Sequence, residues 1–162
     1  MVRVAVTGHR PDKLGGYKAD ANFRAIRRHM RDFLEDAPQG ELWLLSGGAL
    51  GVDQFWIEVG LFLQLPVVAI LPFKGYDSKW PTSSRLEYEK LLAHCEEVRY
   101  VCEPGYHPEK LQKRNEFLVD DCDVLVAYWN GEESGTQNCI DYAISQNKTI
   151  NLFNTEDIIK NA

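Results

Sequence analysis

The residues best suited to chemistry gather where apolar runs stop. Residues 42–56 read LWLLSGGALGVDQFW: a buried-type run ends in Ser46, Gly47 and Gly48, Gly51 follows, and Asp53 opens a helix-like pattern. Glycines after a strand let backbone N–H groups come close to an anion. The helix behind them adds unpaired N–H groups and the positive end of its dipole. SGGALG therefore reads as a phosphate cradle. Residues 133–138, ESGTQN, read as a second one, built on Ser134, Gly135 and Thr136. Thr136 could cap the helix that follows or donate to a phosphate oxygen. Asp53 would repel a phosphate, so it suits accepting from a ribose hydroxyl or orienting a neighbouring loop.

The first apolar run ends in TGHRPD, which places Gly8, His9 and Arg10 at another strand end. His9 could exchange a proton or donate to a phosphate. Arg10 suits an anion, because a guanidinium presents a fork of donors. Trp80 and Trp129 offer faces on which a base could stack, with core burial as the competing role, and Trp43 and Trp56 read as core. Neither G-x-G-x-x-G nor GK[ST] occurs, which disfavours an ordinary dinucleotide-dependent dehydrogenase or a P-loop NTPase. Cys95, Cys102, Cys122 and Cys139 lack paired ligand spacing, so no metal is expected. The acid run at residues 120–123, DDCD, reads as a solvated turn. Arg24, Arg27, Arg28 and Arg31 fall on successive turns of one helix and read as a solvated face.

These residues need elements to hold them. Apolar runs at residues 2–8, 41–47, 66–72, 96–102, 123–129 and 148–153 predict strands. Between them come helical patterns: Phe23, Ile26, Met30, Phe33, Leu34 and Ala37; then Val52, Phe55, Trp56, Val59 and Leu63. Further helices are predicted over 83–95, with Ser83 or Ser84 as cap, over 108–122 and over 136–146, with a short helix in the tail. The fourth run is more polar and suits an edge. Strand and helix alternate throughout, which predicts one α/β domain: a Rossmann-like, doubly wound, mostly parallel sheet with helices on both faces. Ligands bind beyond the carboxyl ends of such strands. The special residues fall there, while the opposite turns, DAPQG among them, are plain.

The pieces TGHRPDKLGG, SGGALGVDQFW, LPF with Trp80 downstream, KRNEFLVDDCDVLVAYW and SGTQN occur in this order over roughly residues 2–152. In this the chain resembles the SLOG superfamily, which unites the Smf/DNA-processing protein A group with the LOG nucleotide phosphoribohydrolases, and most of all its YpsA-like branch. The resemblance implies a Rossmann-like fold that binds a nucleotide or nucleotide-derived molecule. It implies that Ser46, Gly47, Gly48 and Gly51 line the pocket and that Gly135 and Thr136 hold a phosphate. Arg114 would approach the anion, supported by Asn115, with Gly8, His9 and Arg10 as the opposite wall. It also implies a homo-oligomer, for which the regions near Trp56 and Trp80 would supply apolar surface. One feature departs from the family: LOG hydrolases carry PGGxGTxxE, and here Cys139 stands at the place of that glutamate.

The expected function is binding of a nucleotide-derived small molecule, as sensor, carrier or sequestering protein, with no further cofactor. The alternative is a hydrolase of an N-glycosidic or phosphoribosyl bond, with Asp53, Glu58 or Asp141 replacing the glutamate. A DNA-processing accessory comes third, since a net charge of −6 disfavours a large nucleic-acid footprint. No apolar run is long enough to span a membrane, and the amino-terminal residues turn polar too early for a signal peptide, so a cytoplasmic protein is expected.

Overall fold

The computed structural model describes residues 1–37 and 40–162; Pro38 and Gln39, part of the plain turn read at 36–40, lie outside them. The chain runs β1 (Val2–Gly8), a 3-10 turn (Pro11–Lys13), α1 (Asp20–Glu35), β2 (Leu42–Ser46), α2 (Val52–Phe62), β3 (Val67–Leu71) and α3 (Thr82–Ala93). It continues with β4 (Glu97–Tyr100), α4 (Pro108–Asp121), β5 (Val124–Trp129), α5 (Gly135–Ser145), β6 (Thr149–Asn154) and α6 (Thr155–Lys160).

The six strands form one sheet in the order β4-β3-β2-β1-β5-β6, and every pairing is parallel. The expected α/β doubly wound fold is present, and the polar fourth strand is an edge. Alternation along the strands feeds a main core on each face of the sheet, with a smaller cluster around Leu71, Phe73 and Tyr88. Val4, Val6, Leu44, Val126 and Tyr128 join Ile26, Met30 and Leu34 of α1 and Trp56 of α2. Ala5, Leu45, Leu125, Val68 and Ile70 join Leu118 and Val119 of α4 and Cys139 and Ala143 of α5. Full burial of each large aliphatic side chain contributes about 1.5–3 kcal/mol. That is why α1 keeps its periodic apolar stripe inward and sends its arginines out.

Helix starts differ from the sequence reading in two places. α3 has no serine cap: it begins at Thr82, one residue before Ser83, because the Pro81 carbonyl already accepts from the N–H of Arg85 at 3.0 Å. α5 begins at Gly135, and Ser134, not Thr136, is its cap, accepting from the N–H of Gln137 at 3.3 Å. The tail does form a helix, capped by Asn154. The DDCD run ties elements together at the amino edge of the sheet. Asp123 accepts from the Arg3 N–H at 2.8 Å, and Asp121 pairs with Arg3 at 2.9 Å and Arg99 at 3.4 Å.

Candidate functional site

The strand order reverses at β1. From there the chain steps one way through β2, β3 and β4, then returns to place β5 on the other side of β1. The connections leaving β1 and β5 diverge to opposite faces, which opens a crevice at their carboxyl ends. A cleft of about 240 Å³ occupies it. Thr7 to Arg10, Asp12 and Lys13 line one side, Ser134 to Thr136 the other, and Ala49, Asp53, Leu111, Arg114 and Asn115 complete it.

The β1 wall is stapled to its neighbours. The His9 carbonyl accepts from the Val52 N–H at 3.1 Å. Its imidazole is 2% exposed, with Nε2 at 2.8 Å from Oδ1 of Asn130, the residue after β5. Burial lowers the His9 pKa, so a neutral ring is favoured. Arg10 donates from Nη2 to the Tyr76 hydroxyl at 2.9 Å.

The SGGALG loop is held from within. Ser46 Oγ donates to the Asp53 carbonyl at 2.6 Å and accepts from the Gly48 N–H at 3.3 Å. Asp53 Oδ2 accepts from the Ala49 N–H at 3.2 Å, and Gln54 donates to the Gly48 carbonyl. Gly51 has φ of 92°, and a Cβ there would stand 2.5 Å from the His9 carbonyl oxygen. A Cβ on Gly8 would overlap the Val52 side chain. These glycines let β1, the loop and α2 pack at close range. Of the loop, Ala49 and Asp53 reach the cleft; Ser46, Gly47, Gly48 and Gly51 stand behind it.

Arg114 enters from α4 and is 6% exposed. It donates from Nη1 to the Gly47 carbonyl and from Nε to Oδ1 of Asn115 at 2.9 Å, and its guanidinium lies 5.8 Å from the Tyr76 ring centre. Two of its five N–H donors are used in these bonds. Asp53, 8% exposed, has its pKa raised by burial, an effect opposed by Arg114, the Ala49 N–H and Arg10. Among the lining residues, three cations (Arg10, Lys13, Arg114) face two carboxylates (Asp12, Asp53).

The amino end of α5 forms the facing wall. The first amides of a helix have no intrahelical acceptor, which leaves those of Gly135 and Thr136 to other partners. A Cβ on Gly135 would meet nothing within 4 Å, so the space beside its Cα is open where it lines the cleft. Lys13 and Glu132 pair at 2.9 Å across the mouth, joining the two walls.

Besides Ser46, Gly47, Gly48 and Gly51, two more residues expected at the site, Trp80 and Trp129, do not line it. Trp80 packs edge-on against Tyr76 and Tyr88, with ring centres 5.3 and 5.0 Å away. Trp129 donates from Nε1 to the Glu132 carbonyl at 2.7 Å and so shapes the loop before α5. The Trp56 ring itself is fully buried, donating to the Val4 carbonyl, while Trp80 is half-buried beside its tyrosine neighbours. Of the three carboxylates considered for hydrolysis, Asp53 alone lines the cleft. Glu58 lies between α1 and α2, and Asp141 lies on the outer face of α5. Cys139 is wholly buried, its thiol pushed up to about 12 by desolvation. Sequence reasoning missed Lys13, Asp12 and Asn130, although each follows a strand end within a few residues. Among the described residues no group of three or more His, Cys, Asp or Glu could hold a metal, and no helix is long and apolar enough to cross a membrane.

The sequence model of the YspA SLOG family matches residues 4–160. A UPF0398 protein of Bacillus cereus (strain AH820) is 28% identical over 170 residues, spanning 98% of this chain and 91% of that protein. DNA processing protein A from Streptococcus pneumoniae superposes with a TM-score of 0.69 at 18% identity, over 94% of this chain and 50% of that one. The molybdenum cofactor binding protein from Rippkaea orientalis superposes with a TM-score of 0.61 at 16% identity, over 99% of this chain and 83% of that one. At these identities the two structures show a shared fold.

Proposed function

The chain belongs to the YspA SLOG family, and we propose that its carboxyl-edge cleft binds a phosphate-bearing, nucleotide-derived small molecule. The observation that carries this is the convergence of Arg10, Arg114 and the amino end of α5 on one crevice where the strand order reverses. Each favours an anion, and together they form a pocket rather than a scatter of charge. The phosphate role falls to the amides of Gly135 and Thr136 with the guanidinium of Arg114. The amides of Gly48, Ala49 and Val52 are already satisfied within the protein, so SGGALG acts as the frame that aims Asp53 and seats Arg114. Asp53 accepts from a ribose hydroxyl. Small-molecule pockets commonly run from about 300 to 1,000 Å³. At about 240 Å³ this cleft suits the ribose-phosphate portion, with the base projecting over the rim. That one of the fold neighbours is a cofactor-binding protein agrees with a binder or carrier.

A second reading, hydrolysis of the N-glycosidic bond, rests on one observation: a buried carboxylate with a raised pKa, Asp53, lines the cleft. The two readings separate in one experiment. The protein is incubated with AMP, ADP-ribose, NAD or a cyclic nucleotide, and the bound and free fractions are resolved by chromatography. Intact ligand recovered with the protein supports binding. Released base or ribose phosphate supports hydrolysis, and neither retention nor cleavage of any of the four counts against both. A homo-oligomeric state and a cytosolic setting belong to the proposal. Light scattering that gave the mass of one chain at micromolar concentration would remove the first.

A further inference from the structure

A second basic site lies away from the carboxyl edge, between α1 and α2. Arg24, Arg27, Arg28 and Arg31 line a cleft of about 500 Å³ there, with Glu58 and Phe62 on the opposite bank. None of the four belongs to the buried stripe of α1, which is Ala25, Ile26, Met30 and Leu34. Two of the guanidiniums are held in place. Arg27 pairs with Glu58 at 3.6 Å and sits 5.2 Å over the Phe55 ring, and Arg31 sits 5.9 Å over Phe62 while pairing with Glu35 at 3.7 Å. Arg24 and Arg28 make no ion pair within 4 Å among the described residues. Phe62 is 70% exposed beside them, a large apolar ring left at the mouth of a cationic cleft. In a protein of net charge −6, four guanidiniums facing the single lining carboxylate of Glu58 form a local reversal of sign.

We propose that this cleft is a second ligand site, for a small molecule carrying two or more linked phosphate groups. The extent of the stripe selects that class. Arg24 to Arg31 spans about 10 Å along the helix, enough for a chain of two or three phosphates. Acids bound it at both ends, with Asp20 at the start of α1 and Asp32, Glu35 and Asp36 at its finish, so a longer polyanion running along α1 would meet like charge. The volume lies within the range of small-molecule pockets. Phe62 offers one face for a ring attached to the phosphates. The site is independent of the carboxyl-edge cleft and does not rest on its reading.

Inorganic tripolyphosphate is the probe, titrated calorimetrically at near-physiological salt with orthophosphate as the control. Binding is expected for tripolyphosphate and not for orthophosphate. The double variant Arg24→Gln/Arg28→Gln alters two exposed side chains without ion-pair partners among the described residues, so the fold survives; circular dichroism checks this. It should weaken tripolyphosphate at least about tenfold, whereas Arg114→Ala should leave this binding event in place. Phe62→Ala should spare tripolyphosphate and weaken a nucleoside triphosphate. The proposal is overturned if the double variant binds tripolyphosphate as the native protein does, or if Arg114→Ala abolishes the binding. Preference for a single-stranded oligonucleotide over tripolyphosphate would overturn it too, because the surface would then serve a strand.

Discussion

Arg114 of α4 donates through Nη1 to the carbonyl of Gly47 in the loop after β2, at 2.5 Å. This buried bond ties α4 to the β2 loop behind the cleft. It requires the absence of a side chain at residue 47: a Cβ there would stand 2.7 Å from Nη1 of Arg114 and 3.0 Å from Oδ2 of Asp53. Gly47→Ala should therefore push both charged groups from their positions. A cost of about 1–3 kcal/mol in stability is expected from the overpacking, together with loss of nucleotide affinity. Urea denaturation and a ligand titration on the same variant measure the two effects.

Arg114→Ala removes the charge that faces the proposed phosphate. Loss of a charge-assisted contact of this kind costs roughly 2–3 kcal/mol, about thirty- to a hundredfold in affinity. Arg114→Lys keeps the charge but cannot hold Gly47 and Asn115 from one planar fork, so an intermediate loss is expected. Calorimetric titration of the three proteins with one retained nucleotide orders them. Equal affinity for the alanine variant and the native protein would place the anion elsewhere.

What the sequence made legible was periodicity and punctuation. Strand alternation in VRVAVTG and the helical spacing of Ile26, Met30 and Leu34 reflect which side of an element is buried, so the fold class followed from them. The clustering of Gly8, Arg10, Asp53 and Gly135 at strand ends followed from topology, since parallel strands put all those ends on one edge. What the glycines do was not legible. SGGALG has the composition of an anion loop, yet Gly51 is small so that the His9 carbonyl can approach it, and Gly47 so that Arg114 can. Such reasons lie in residues distant in the chain. The same holds for Trp80, whose neighbours Tyr76 and Tyr88 come from both sides of it in sequence and close around it only in the fold.

Asp53 should give the cleft a pH signature. Burial raises its folded pKa above the ordinary value. The folded state then holds the proton more tightly than the unfolded one, so this contribution to stability is complete below the unfolded pKa. It is lost as pH rises through the folded pKa. Asp53→Asn cannot ionise, yet its amide oxygen can still accept from the Ala49 N–H. At neutral pH the variant should be at least as stable as the native protein, and at acid pH the difference should close. Removing the carboxylate should also favour phosphate and weaken a ligand that needs its ribose hydroxyl held. Denaturation midpoints across the acid-to-neutral range, with and without ligand, test both parts.

His9 acts with the opposite sign. Burial depresses its pKa, so the unfolded chain takes up the proton first. Its contribution to stability is present above the unfolded value near 6.5 and is lost as pH falls from there through the depressed folded value. His9→Gln, whose amide can meet either Oδ1 or the N–H of Asn130, should flatten the stability profile in that window. His29 is depressed for the same reason, so some slope should persist until His29 is replaced as well. A profile unchanged by the His9 variant would show that its ring titrates as freely folded as unfolded.

Cys139 decides whether a thiol has taken over the role of the missing family glutamate. It packs wholly buried against the α4/α5 core with Ala5, Leu125 and Ala143. Desolvation raises its thiol to about 12, which at neutral pH leaves almost none of it as the reactive thiolate. A nucleophile also needs access to substrate, and Cys139 is not among the residues that line the cleft. Iodoacetamide should therefore fail to label Cys139 in the folded protein and label it in urea. Cys139→Ala should cost about 1 kcal/mol through lost packing and leave nucleotide affinity unchanged. If the native protein releases base from a nucleotide and Cys139→Ala abolishes that release while folding and binding survive, the thiol is catalytic and Asp53 is not the residue that replaced the glutamate.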